Sequence, residues 1–424
     1  MNKWGKSAAA IGLAVSILGS GWTGTASAAT VKNEIKVVLD DVILPLGASP
    51  VIKNNVTMVP FRSLATALGI KVVWDSKTKS VRAEGLVNGT TRKVVLSLGK
   101  KSALVDGKAV QMIAAPLIVN QQVLIPLKFF GTQFGANVGW SKATNTISVV
   151  SPKRAMHLRA FYAMGSFSQR ARIASMDSVA FGWTRINENG ELTLEGVDFN
   201  WPEAAGDITP ESMVLDAASQ GKKPYLMVYS VDGKGELTKM LSDETLRNNA
   251  IDNIVRLAED NKFGGVLLDF EGLGLRLDPL GQQKLINDYV RILDHKLMAL
   301  NIELSLAVPP PNGAYKGYDY KTLATLADDL VLMAHDYNPK GTPDHTPEPN
   351  AKVVEAIELA LKAGVPANKL ILGISLWNET TTTVDDKLGL AKRYGLKGAS
   401  FWRLTFYSDD IANVIDRVVE KAGE

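Results

Sequence analysis

The stretch GGVLLDFEGLG, residues 264–274, reads as a buried strand that ends in two acids. Small and apolar residues fill its first half, and Asp269 and Glu271 close it. Side chains two apart on a strand share a face, with Cα atoms ~6–7 Å apart. Leu267, Asp269 and Glu271 therefore point the same way, with Glu271 outermost. Seven further runs have the same apolar character: HLRAFYAM (157–164), SVAFGWTRI (178–186), PYLMVYS (224–230), IELSLAV (302–308), LVLMAHDY (330–337), LILGISLW (370–377) and GASFWRL (398–404). Helical stretches such as LRNNAIDNIVRLAEDN and PLGQQKLINDYVRILDHKLMAL, apolar on one face, lie between them. Eight continuous apolar strands alternating with helices are what an α/β fold of the (β/α)8 TIM-barrel type requires. A doubly wound sheet would carry Gly-rich phosphate turns, and no G-x-G-x-x-G or P-loop is present.

In such a barrel the acids fall at the C-terminal rim, where active sites sit. Two adjacent carboxyls in a partly dry cavity repel, which raises the proton affinity of one of them. A protonated acid beside an ionised one can cleave a glycosidic bond. The competing reading is a structural acid pair satisfied by Arg or backbone donors.

Residues 30–152 are organised differently. VPFRSLATALGIKVVWDSKTKSV (59–81) matches IPLKFFGTQFGANVGWSKATNTI (125–147) at a constant offset of 66 residues. Pro60 aligns with Pro126, Arg62 with Lys128, Gly69 with Gly135 and Trp74 with Trp140. Each copy reads as a strand, a short amphipathic helix ended by Gly, and a second strand, so a pair of small packed α+β units is expected. The pattern resembles the copper amine oxidase N-terminal-like domain. Copper does not follow, because residues 30–152 contain no His and no Cys. They hold 15 Lys or Arg against 6 Asp or Glu. That balance suits an adaptor for anionic cell-wall polymers, or equally a solvated face with no partner.

The first 28 residues carry a basic start, an apolar run and an Ala-x-Ala site at Ala26 and Ala28, the pattern of a secretory signal peptide. No later segment is apolar and long enough to span a bilayer. A secreted or cell-wall-associated location is expected. The chain has no Cys and four His, His157, His295, His335 and His345, without ligand spacing, so no metal and no cofactor are expected. Nothing points to nucleic acid.

GGVLLDFEG resembles the strand-four signature of glycoside hydrolase family 18, Asp-x-x-Asp-x-Asp-x-Glu, as found in spore-cortex and cell-wall glucosaminidases. AFYAMGS, FGWTRINENGELT, LVLMAHDY and GASFWRL fit the same family in order, so residues 155–424 form the expected barrel domain. The resemblance implies retaining hydrolysis of a β-linked N-acetylglucosamine polymer. Glu271 would be the general acid and Asp269 would orient the substrate's acetamido group. It departs from the pattern at Gly264 and Leu267, which stand where the signature has Asp. His335 stands where Met-x-Tyr-Asp has its Tyr, between Met333 and Asp336. His335 would then be the donor to the acetamido oxygen. Trp402 would form the floor under a sugar ring, against the rival reading of a core Trp. Tyr162 and Tyr229 end strands and would line the cleft or else pack. A sugar-binding protein that has lost turnover is the alternative function.

Overall fold

The computed structural model describes residues 35–420, and the signal-peptide expectation for residues 1–28 lies outside them. The two repeated segments carry the same local elements. Strand Val56–Pro60, helix Phe61–Ala67 and strand Lys71–Asp75 recur as Gln122–Pro126, Leu127–Gln133 and Asn137–Ser141. Each helix stops at a glycine in the left-handed region, Gly69 at φ 69° and Gly135 at φ 78°, where a side chain would be strained. Equivalent strands pair antiparallel with Leu124 opposite Pro60, Ile125 opposite Val59 and Pro126 opposite Met58. The two copies are thus related by a local two-fold through Val59 and Ile125. Val59, Leu64, Ile125 and Phe130 belong to one hydrophobic cluster, so the copies share a core rather than pack as separate units. A five-stranded antiparallel meander extends the first copy through residue 111.

The eight barrel strands are β1 His157–Tyr162, β2 Ser178–Ile186, β3 Lys223–Val231, β4 Gly265–Glu271, β5 Glu303–Val308, β6 Asp329–Leu332, β7 Leu370–Ser375 and β8 Gly398–Trp402. All pair in parallel, and β1 bonds both β2 and β8, which closes the sheet. β6 is shorter than its apolar run. It stops at Leu332, and tight turns with Ala334 N–H to Leu332 O and His335 N–H to Met333 O replace the strand expected over 333–337. Helices Glu244–Asp260 and Pro279–Met298 flank β4, started by Asp243 and Asp278, whose side chains accept from first-turn N–H groups.

Inward and outward positions alternate as the pleat demands. Phe161, Met227, Leu267, Val331 and Ile371 pack inside the barrel, while Leu158, Phe181, Leu226, Val266 and Leu268 pack against the helices. The lower interior is polar. Arg159, fully buried, grips Asp329 through two bonds of 2.9 and 3.1 Å and donates to Ser305 at 2.7 Å and Ser178 at 2.9 Å. Its guanidinium lies 4.2 Å from the Tyr225 ring centre, and Lys397 holds the other side of Asp329 at 2.6 Å. This polar cluster fills the end of the barrel interior opposite the acids.

The duplicated module docks on the helix Thr381–Arg393, which leads from β7 to β8. Arg393 donates to the Leu39, Val42 and Ile43 carbonyls, and Lys392 pairs with Asp40 at 3.5 Å. A crossover helix ends at the N-terminal side of the strand it feeds. The docking contacts therefore lie on the side away from the acids. Among the described residues no helix is long and apolar enough to cross a membrane.

Candidate active site

β4 carries the acids because its alternation puts Gly265, Leu267, Asp269 and Glu271 on the inner face. Register places Met227 beside Leu267, Tyr229 beside Asp269 and Val231 beside Glu271. Asp269 is only 4% exposed, and its Oδ1 has no hydrogen-bond partner among the described residues. Burial, and then the charge of Glu271, push its carboxyl well above the usual carboxylate range. Glu271 sits one step nearer the mouth. Burial raises its proton affinity, Asp336 adds to the rise and His335 works against it. The two acids thus form one coupled system that holds a proton more tightly than either would in water. Among the described residues no arginine and no backbone donor reaches Asp269 Oδ1.

Tyr229, Met333 and Trp402 rest partly buried on the inner cluster that contains Leu267. Burial and the charges of Glu271 and Asp269 raise the Tyr229 phenol, so it stays protonated and able to donate. Trp402 packs edge-on to Phe161, with ring centres 5.4 Å apart. It also borders a cavity of about 510 Å³ with His335, Asp336, Trp377, Arg403 and Phe406. His335 Nδ1 lies 3.0 Å from Asp336 Oδ2. Burial disfavours its imidazolium, but Asp336, Glu271 and Glu348 outweigh that and the net shift is upward. Asp336 has a φ of 64° and its side chain is 82% exposed. Its N–H and that of Tyr337 both donate to Glu348 at 3.0 Å. Buried Glu348 therefore fixes the irregular segment that presents His335.

Tyr162 is not part of this constellation. It ends β1 on the outer face, packed on Phe181 and Trp183 with ring centres 5.3 and 6.0 Å away. Strand parity gives the inward place to Phe161 instead, and Tyr162 borders a separate cavity of about 540 Å³ with Trp183 and Met213. Tyr337, two residues beyond His335, donates to Asn312 at 3.0 Å.

Three contributors went unmarked in the sequence. Phe199, in the loop after β2, stacks on Tyr229 at 4.1 Å and lies 6.2 Å from Trp402. Glu348 lies in a Pro-rich loop without periodicity, and Arg403 adjoins Trp402. Only the position of Arg403 at a strand end offered a signal. Among the described residues no group of three or more His, Cys, Asp and Glu could hold a metal ion.

A closed parallel barrel with paired acids at its C-terminal mouth defines the chain as a glycosidase-type barrel. The model for glycosyl hydrolases family 18 matches residues 159–403, and the chain belongs to that family. The model for the copper amine oxidase N-terminal domain matches residues 22–149. The cortical fragment-lytic enzyme of Bacillus subtilis is 28% identical over 144 residues, 32% of this chain and 32% of that protein. Its Bacillus anthracis counterpart is 25% identical over 179 residues, 40% of each chain. The chain thus spans about a third to two fifths of the length of these relatives. A chitinase from Chromobacterium violaceum has a TM-score of 0.51 at 20% identity, covering 62% of this chain and 98% of its own. The spore cortex-lytic enzyme of Bacillus cereus reaches 0.52 at 17% identity, covering 64% of this chain and 76% of its own. A chitinase-like agglutinin from Robinia pseudoacacia also reaches 0.52, at 16% identity and covering 62% of this chain and 99% of its own. These likenesses concern the fold.

Proposed function

We propose that this chain is an exported, retaining glycosidase that cleaves β-linked N-acetylglucosamine polymers of the peptidoglycan, spore-cortex or chitin type with help from the substrate. One observation carries the reading. Asp269 is buried and leaves one oxygen unpartnered on the strand face it shares with Glu271. An acetamido N–H is the kind of donor that oxygen lacks.

Glu271 donates its proton to the glycosidic oxygen as the bond to the anomeric carbon breaks. The acetamido carbonyl oxygen forms the new bond to that carbon, and positive charge spreads over the resulting ring. With the proton of the pair on Glu271, Asp269 is the carboxylate that accepts the N–H and offsets the charge. Water then attacks the same carbon and yields its proton to Glu271, while the ring reopens. Two inversions leave the configuration retained. His335 would donate to the acetamido oxygen, and Trp402 would lie under the sugar. Incubation with purified peptidoglycan and with chitin oligomers, followed by product analysis, tests the reading. Cleavage of neither would sink it.

The alternative is a carbohydrate-binding protein on the same barrel. Leu267, which removes the acid below Asp269, and the agglutinin of like fold favour it. Glu271 favours turnover, since a binding protein has no use for a general acid.

His335 separates the two. His335→Ala should slow cleavage by about 10²-fold, the loss expected for one donor to developing charge, and His335→Tyr should retain turnover. The raised imidazolium is present at low pH and lost as pH climbs past its titration. Wild-type rates should therefore fall on the alkaline side as both His335 and Glu271 lose their protons, and the Tyr variant should keep only the Glu271 part of that fall. Unchanged rates in His335→Ala would remove the assigned role.

The signal-like sequence pattern of residues 1–28 supports export. The excess of Lys and Arg over residues 30–152 supports attachment to anionic wall polymers. If charge drives that attachment, binding of the full chain to isolated walls should weaken as ionic strength rises. Binding indifferent to salt would rule out the electrostatic account.

A further inference from the structure

Arg403 follows the last residue of β8 and projects beside Trp402 into the cavity of about 510 Å³. Its guanidinium carbon lies 5.2 Å from the Phe406 ring centre. Its carbonyl accepts from Phe406 N–H at 3.0 Å, but among the described residues the guanidinium makes no hydrogen bond or ion pair. Burial lowers its proton affinity, and the charge of Asp198 offsets this only in part. Arginines in well-packed sites normally engage a carboxylate or phosphate with the planar fork of N–H donors. Here the fork is half-buried, held by an aromatic face, and empty-handed.

The surroundings specify what would complete it. Trp377, Trp402 and Phe406 offer flat apolar surfaces suited to the CH faces of sugar rings. Asp336 also borders the cavity, and Asp269 and Glu271 lie nearby, so the site would otherwise repel an anion. Among the described residues bordering the cavity, Arg403 is the permanent cation. A neutral N-acetylglucosamine chain would leave it unpaired. A sugar carrying a carboxylate would pair with it.

Resting on the glycosidase reading above, we propose that Arg403 selects a carboxylate-bearing amino sugar bound alongside Trp402. The preferred substrate is then an acidic polymer of the muramic acid type rather than neutral chitin or a form with its carboxylates blocked. The pairing supplies binding and specificity without a role in bond cleavage.

The test uses the full chain carrying Glu271→Gln, so that ligands bind without turnover. Three tetrasaccharides are titrated: alternating N-acetylglucosamine and N-acetylmuramic acid with free carboxylates, the same compound as its methyl ester, and the neutral chitin tetramer. The free acid should bind about 10- to 100-fold more tightly than its ester, the range for a hydrogen-bonded charge pair. Adding Arg403→Gln should bring that ratio close to one. Arg403→Lys, which keeps the charge but not the fork, should keep an intermediate ratio. Equal affinity for acid and ester with Arg403 intact, or a ratio that survives Arg403→Gln in a folded variant, would overturn the proposal while leaving the glycosidase reading in place. If none of the three binds with Arg403 intact, both fall.

Discussion

Glu271→Gln should lower glycosidic cleavage by about 10²- to 10⁴-fold, the range for loss of a positioned general acid. Gln keeps the shape and the neutral hydrogen-bonding character of a protonated Glu but cannot release a proton to the leaving oxygen. Glu271 is suited to that task because burial raises its carboxyl and Asp336 reinforces the rise, so the acid form persists further toward neutral pH than in water. Oligosaccharide binding should survive, because the surfaces that hold sugar lie on Trp402 and its neighbours. Asp269→Asn should also depress turnover, with a larger effect on the chemical step than on binding. The amide is uncharged and cannot offset positive charge on the acetamido-derived ring. Measured kcat and KM for both variants on one oligosaccharide separate these effects. Unaltered kcat in Glu271→Gln would remove the general acid from the account.

Arg159→Met should destabilise the protein by about 3–5 kcal/mol, the penalty for removing one partner of a buried ion pair. Arg159 and Asp329 have fully buried side chains, and Met leaves the Asp329 carboxylate with only Lys397 and the Ser305 hydroxyl. Burial by itself would raise the Asp329 carboxyl, but Arg159 and Lys397 outweigh it and hold it far below the usual range. An acid depressed in this way stabilises the fold above its unfolded value of about 4 and loses that contribution as pH falls through its folded value. The deficit of Arg159→Met should therefore be full near neutrality and shrink below pH ~4. Pairing it with Asp329→Leu should recover much of the loss, since an apolar replacement of both partners is often close to neutral. Denaturant titrations of the two single variants and the double variant measure the coupling. A single-variant loss below about 1 kcal/mol, the level of an ordinary surface pair, would show that the polar cluster contributes little.

The barrel was legible because its signal is local and repeated. Apolar runs alternate with helices started by Asp243 and Asp278, and each strand's parity follows from a period of two. Parity also explains one miss, since Tyr162 and Phe161 are neighbours and only the pleat decides which faces inward. The place of Asp269 and Glu271 at an inward strand end was legible because two acids closing an apolar strand conflict with simple burial. The polar cluster was not legible. Arg159, Ser305 and Asp329 come from three strands, and no spacing in the sequence links residues that meet only on closure. Phe199 and Glu348 reach the site from loops, where position depends on contacts made after the barrel forms. Strand six ran too long because Ala334 and Tyr337 look like strand residues, whereas Glu348 captures the N–H groups of Asp336 and Tyr337 and pulls the chain into a turn.

The most direct measurement is the anomeric configuration of the first product, followed by proton NMR as the full chain acts on an N-acetylglucosamine-containing oligosaccharide. Attack by the acetamido oxygen followed by water predicts that the β-anomer appears first and equilibrates slowly to the mixture. Initial formation of the α-anomer would mean direct attack by water and would contradict the roles given to Asp269 and Glu271.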